Sequence, residues 1–258
     1  GDADVIYRAG GECIEQRSIV SHWCYELELS NFKEAMEKND ILKAIKLRWL
    51  GLRPDADNTK SEIPKFLGTS SKEVNEYIRV SRKLALDYLK KNQRPDYAML
   101  TMPFMPQFRT TRRIKGVQEF KMIAGAYVES SVGCVCNSLG LTSPVYEFPY
   151  EAMIDPKLKN IIAAGRIVAA GGEAWEVMRL IPACVLTGEV AGTAAAISID
   201  DGVNLQQLDI KKLQERLSKN GIMIHMPEEL KANKRTVANT DPKKIQDPLV
   251  AADALSYH

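Results

Sequence analysis

The chain has 258 residues, 45% of them hydrophobic, enough for one large domain or two modest ones with their own cores. Its 35 basic residues are offset by 33 acidic ones, which excludes the sustained basic face that nucleic-acid binding requires. Five cysteines and three histidines at irregular spacing exclude a disulfide scaffold and a clustered metal site.

The first block, Asp2 to Gly11, predicts a short helix capped by Asp2 or Asp4. The aromatic and β-branched run from Ile19 to Leu29 predicts a strand. Between Asn31 and Leu50 the apolar positions Phe32, Ala35, Met36, Ile41, Leu42, Ile45 and Trp49 read as helical, with Gly51 and Pro54 ending the run. Residues 53–69 read as a loop or cover. The helical pattern is strongest over Ser71 to Lys91, where Val74, Tyr77, Ile78, Ser81, Leu84, Ala85 and Tyr88 share a face, and Ser70 with Glu73 forms a capping box. Pro95, Pro103 and Pro106 space out a Met- and Phe-rich run, and core packing is the usual use of such a run.

Further on, Asn160 to Ala164 reads as a short covered strand suited to a parallel sheet, stopped by Gly165. Pro182 opens a helix over Ala183 to Ile199, where a missing N–H costs nothing. Gly188, Ala191, Gly192, Ala195 and Ala196 leave room on it for a neighbouring backbone or a ligand. Thr187, Gly188 and Glu189 interrupt this segment, the longest apolar one, so it is expected to pack rather than to cross a membrane. Asp209 is placed to cap a helix carrying Ile210, Leu213 and Leu217, ended by Asn220-Gly221. A polar tail is expected from residue 225 to 258. Nothing directs export, so a cytoplasmic location is expected.

The residues Ala164-Gly165-Arg166, then Arg179 and Pro182, then Thr187, Gly188, Ala191, Gly192, Thr193, Ala194 and Ala195 carry a specific likeness. In this order they resemble the final FAD-binding segment of bacterial and archaeal FAD-dependent oxidoreductases of the glutathione-reductase-like class. Weaker matches keep the same order: Gly1 to Val5, Thr110 to Gly116, and Val145 to Tyr150. No Gly-x-Gly-x-x-Gly loop, which holds the FAD pyrophosphate in that class, occurs here.

The resemblance implies an α/β chain, α+β overall: an incomplete FAD-binding Rossmann-like domain with an inserted substrate or cap domain, its N-terminal dinucleotide-binding segment missing. The implied divisions are 1–14, a return segment of the FAD domain; 15–125, the substrate or cap domain; 126–224, the C-terminal part of the FAD domain; and 225–258, the tail. The implied cofactor is FAD, held by Asp2, Gly165, Arg166, Arg179, Pro182, Ala183 and Cys184, with the helix N-terminus facing the flavin. Arg109, Arg112 and Arg113 are the candidate catalytic cations on the substrate side, since rigid guanidinium forks suit carboxylates. His22, Tyr150 and Glu173 are candidate bases with ordinary structural roles as the simpler reading. The implied function is flavin-mediated electron or hydride transfer on a small-molecule substrate, with the chain alone inactive. The implied partner is the missing segment or chain, and a homo-oligomer is left open. The alternative is a noncatalytic partner-binding or structural module that keeps the flavoprotein fold.

Overall fold

The computed structural model describes residues 2–15, 20–49, 66–102, 106–136 and 144–228. In chain order the elements are α1 (Asp4–Arg8), β1 (Cys13–Glu15), β2 (Val20–Ser21), β3 (Trp23–Glu28), α2 (Leu29–Glu37), β4 (Ile45–Trp49), α3 (Ser71–Lys91), β5 (Tyr97–Met99), β6 (Gln107–Phe108), β7 (Arg112–Ile114), β8 (Ser131–Cys136), β9 (Val145–Pro149), α4 (Glu173–Met178), α5 (Ile181–Asp201) and α6 (Ile210–Lys219). The chain forms two compact units. One joins Ala3–Cys13 to the chain from Arg113 onward, and the other holds Asp2 and Ile14–Arg112.

In the second unit, β3 is the centre of a three-stranded antiparallel sheet. It pairs with β4 from Trp23↔Trp49 to Leu27↔Ile45, and with β5 from Glu26↔Met99 to Glu28↔Tyr97. The helix expected over Asn31 to Leu50 is therefore helix to Glu37, a short helical turn over Ile41–Ala44 and strand over Ile45–Trp49. Asn39 turns the chain at φ 49°, and the alternating Ile-Lys-Leu-Arg-Trp that follows suits a sheet better than a helix. Helix α3 starts as expected, with Ser70 accepting the Glu73 amide at 3.2 Å. The Glu73 carboxylate reaches further back than a capping box, to the amides of Leu67 and Gly68. Tyr77 on α3 is fully buried, edge-on to Phe66 and Phe108 with ring centres 5.5 and 5.3 Å away. His22 is buried beside the same ring. The expected loop falls mostly, and the Met/Phe run partly, outside the described residues.

The first unit is built on the antiparallel β8–β9 pair, with a register irregularity between Ser131 and Cys134. Gly133 lies at that irregularity, where a Cβ would meet Leu186 of α5 at 2.6 Å, so the missing side chain lets helix and hairpin close. Ile114, Phe120, Val132, Phe148, Met153, Met178, Val190, Leu213 and Leu217 form one buried cluster around this contact. The strand expected over Asn160 to Ala164 is not a strand. Its contribution is one antiparallel bridge, Ile154↔Ile162, because the chain turns at once into the Gly165–Ile167 helical turn. Helix α6 has the expected Asp209 cap, which accepts from the Lys211 and Lys212 amides at 2.9 and 3.3 Å.

Helix α5 is longer than its sequence pattern, 21 residues, and ends at Gly202 in the left-handed conformation. By length and composition it is long and apolar enough to cross a membrane, which the sequence reading denied. Within the structure, 28% of its apolar window is buried.

Candidate functional site

The likeness-bearing residues meet where α5 begins. Gly165 is buried with φ 67°, a conformation that disfavours any residue with a Cβ. A Cβ there would also stand 3.3 Å from Cys184 Sγ. The Gly165 amide donates to Thr187 Oγ1 at 2.8 Å, and Thr187 Oγ1 donates to the Ala183 carbonyl at 2.7 Å. Thr187 is fully buried, so this hydroxyl welds the Gly165–Arg166 turn to the first turn of α5.

That first turn carries no side-chain cap. Leu180 stands at the N-cap position in extended conformation, followed by exposed Ile181 and Pro182. A 21-residue helix thus presents uncapped amides, and the positive end of its dipole, beside the turn. Cys184 bonds to the Met178 carbonyl through its thiol at 3.6 Å, which serves local packing.

A second chain of contacts supports the turn from below. The Trp175 indole donates to the Arg166 carbonyl at 2.6 Å. The Arg113 guanidinium lies 5.6 Å from the Trp175 ring centre and pairs with Glu119 at 2.6 Å. Gly171 makes room for that pair, since a Cβ would stand 2.9 Å from Glu119 Oε1 and 3.0 Å from Arg113 Nη2. The sequence reading gave Trp175, Glu119 and Gly171 no role at the site. The Gly171-Gly172 pair was the available signal, a backbone that something bulky must approach.

The other predicted residues are distributed as follows. Arg179 caps the end of α4 and pairs with Glu176. Arg113 side-chain atoms are 5% exposed and those of Arg112 7%. Arg112 forks onto Glu15, through Nε at 3.0 Å and Nη2 at 2.5 Å. Asp2 accepts the Thr111 hydroxyl at 3.1 Å, and Arg109 is half-buried. Asp2, Arg109 and Arg112 belong to one unit, Arg113 and the Gly165–Cys184 group to the other. The structure thus brings together Gly165, Arg166, Ala183 and Cys184, with Pro182 at the exposed rim. Tyr150 donates to the Leu205 carbonyl at 3.0 Å. Burial, and then the nearby Glu151, push its phenol well above the usual range, so it holds its proton.

The donor set fits a flavin. Uncapped helix amides suit the electron-rich edge of the ring system. No metal-holding group of three or more His, Cys, Asp or Glu occurs among the described residues.

Comparison with known proteins agrees. The family model described as FAD dependent oxidoreductase matches residues 8–217. No curated protein and no solved structure matches the chain. The family match also corrects the expected fold class. It runs over residues 8–217, through the stretch expected to be an inserted unit, and so speaks against an incomplete Rossmann-like domain lacking its dinucleotide-binding part. The antiparallel β2–β6, β3–β4, β3–β5 and β8–β9 pairs are likewise not the parallel layer that reading implied. On this match, which covers most of its length, the chain belongs to the FAD dependent oxidoreductase family.

Proposed function

We propose that this protein holds FAD at the Gly165–Arg166 turn and the N-terminus of α5, and transfers electrons or hydride between the flavin and a small-molecule substrate. The observation that carries this reading is the Thr187 hydroxyl, which fixes the Gly165 amide and the Ala183 carbonyl to one another. When bound, FAD supplies the redox chemistry, accepting and releasing an electron pair.

The chain's own residues then have separable tasks. The amides of the α5 first turn would hold the electron-rich edge of the flavin, where the helix dipole favours negative charge. The Trp175 indole holds the Arg166 carbonyl and so braces the turn that would meet the flavin. Arg113 holds Glu119 and the face of Trp175, so its role is positioning rather than substrate contact. Arg112, paired with Glu15, is assigned a similar role, and the cation that meets an anionic substrate is to be sought outside these two.

The test is direct. The purified chain is mixed with excess FAD, passed through gel filtration and its absorption recorded. Flavin bands co-eluting with the protein, and diminished in Gly165→Ala, support the reading. Flavin that elutes wholly in the small-molecule fraction sinks it and leaves the second reading, a noncatalytic partner-binding module, which the bare apolar face of α5 favours.

A further inference from the structure

The first unit holds a cavity of about 300 Å³ in which no residue of the Gly165–Cys184 group takes part. Its walls are apolar, from Val117, Ile154, Pro156, Leu208 and Ile210, together with the fully buried Tyr150. Leu208 and Ile210 flank Asp209, whose hydrogen bonds to the Lys211 and Lys212 amides fix that wall. A concave, mostly apolar site with few polar groups suits a small molecule.

The polar groups at the cavity have committed their donors and kept acceptors. Tyr150 donates its hydroxyl proton to the Leu205 carbonyl at 3.0 Å. Gln206 donates through Nε2 to the Asp155 carbonyl at 2.6 Å, which leaves its amide oxygen to accept. Glu151 is the one charged residue among those that line the cavity. Its Oε2 accepts the Ser130 hydroxyl at 2.5 Å, and it forms no ion pair among the described residues. The lysines nearest the lining in sequence are held elsewhere, since Lys115 and Lys157 both pair with Glu12, at 2.9 and 3.0 Å. A second carboxylate, Asp155, is buried between Ile154 and Pro156 and accepts the amides of Glu12, Lys157 and Leu158. The cavity is thus apolar in its walls and negative at its one charged point.

We propose that this cavity binds a small organic cation, a primary ammonium on an aliphatic body of roughly four to six carbons that fills the apolar walls. The ammonium meets the Glu151 carboxylate and the Gln206 amide oxygen. It has three donors and no acceptor, which is what a lining of acceptors requires. A carboxylate or phosphate would meet Glu151 with like charge and is disfavoured. The proposal goes beyond the flavin reading and does not rest on it, because the cavity and the Gly165–Arg166 turn share no residue.

Ligand-observed saturation-transfer NMR on the full chain tests it, with hexylammonium chloride, hexanol and sodium hexanoate as probes at one ionic strength. The three share a body and differ at the head, so the preference among them reports charge. The chain's formal net charge is +2, so a preference for the cation would not come from the molecule as a whole. Hexylammonium is expected to bind saturably and about tenfold or more tighter than hexanol, as a charged hydrogen bond implies, and hexanoate not to bind. Glu151→Gln keeps the shape and an acceptor for Ser130, and should bring hexylammonium down to the hexanol level. Val117→Trp alters a residue that is 52% exposed, so the core is left intact, and should close the cavity to both probes. Hexanol binding as tightly as hexylammonium overturns the proposal. So does hexylammonium binding that is unchanged in either variant, or a wild type with no saturable binding.

Discussion

The Thr187 hydroxyl sits 2.8 Å from the Gly165 amide, taking its hydrogen bond across 22 residues of sequence. It donates its own hydrogen bond to the Ala183 carbonyl one turn earlier in the helix. A buried backbone N–H and the start of a long helix are thereby held by one side chain.

Thr187→Val keeps the shape and removes the acceptor. It strands a buried N–H, which costs about 1–3 kcal/mol. Denaturant unfolding followed by circular dichroism should show that loss, and Thr187→Ser should recover most of it. Equal stability of the valine and serine variants would argue that the hydroxyl is idle.

Arg113 is a buried cation whose partner Glu119 is 38% exposed at its side chain, so solvent weakens the pair. Arg113→Met should therefore destabilise by only about 1–3 kcal/mol, below the full loss for a wholly buried pair. Since Arg113 also lies over Trp175, the tryptophan emission should change. Arg113→Lys, which keeps charge but loses the planar fork, should fall between.

The Glu147 carboxylate is fully buried at its side chain. Burial alone would raise its pKa, but His225 at 3.0 Å and the amides of Met226 and Val128 outweigh it and hold the group below the usual carboxylate range. A depressed carboxylate pKa gives stability that is present above the unfolded-state value and lost as pH falls through the folded one. Stability of the wild type should thus decline on acidification below the ordinary Glu range. Glu147→Gln should be less stable at neutral pH and show a flatter acid limb. An unchanged limb would remove Glu147 from the account.

Cys134 and Cys136 sit two residues apart on β8 and should react differently. Burial first, and the nearby Glu147 second, push the Cys134 thiol up to about 11, while Cys136 is exposed. Because the thiolate is the reactive form, iodoacetamide near pH 8 should label Cys136 well before Cys134, as peptide mass spectrometry would report. Equal labelling would contradict the burial of Cys134.

The helices were the most legible part of the sequence. Ser70 and Asp209 cap helices because a short polar side chain before an apolar period has few other uses, and the periodicity over 71–91 is unbroken. Residues 45–49 were misread because Ile41, Leu42 and Ile45 fit a helical step, while the decisive Asn39 turn is a single positive φ. The likeness around Gly165 was visible because a positive-φ glycine tolerates few replacements. Its supports were not: Glu119, Trp175 and Gly171 lie apart in sequence, and the Arg113 pair unites them through contacts that no local pattern encodes. The forks of Arg112 and Arg113 looked available for a substrate because their partners Glu15 and Glu119 carry no sequence signal of pairing.

An equilibrium titration of the purified chain with FAD, followed by flavin fluorescence, tests the central claim most directly when wild type and Thr187→Val are run side by side. The account predicts saturable binding to the wild type, and binding weakened about tenfold or more in the variant, in line with the loss of one buried hydrogen bond. Failure of the wild type to bind, or identical affinities for the two proteins while the variant remains folded, would contradict it.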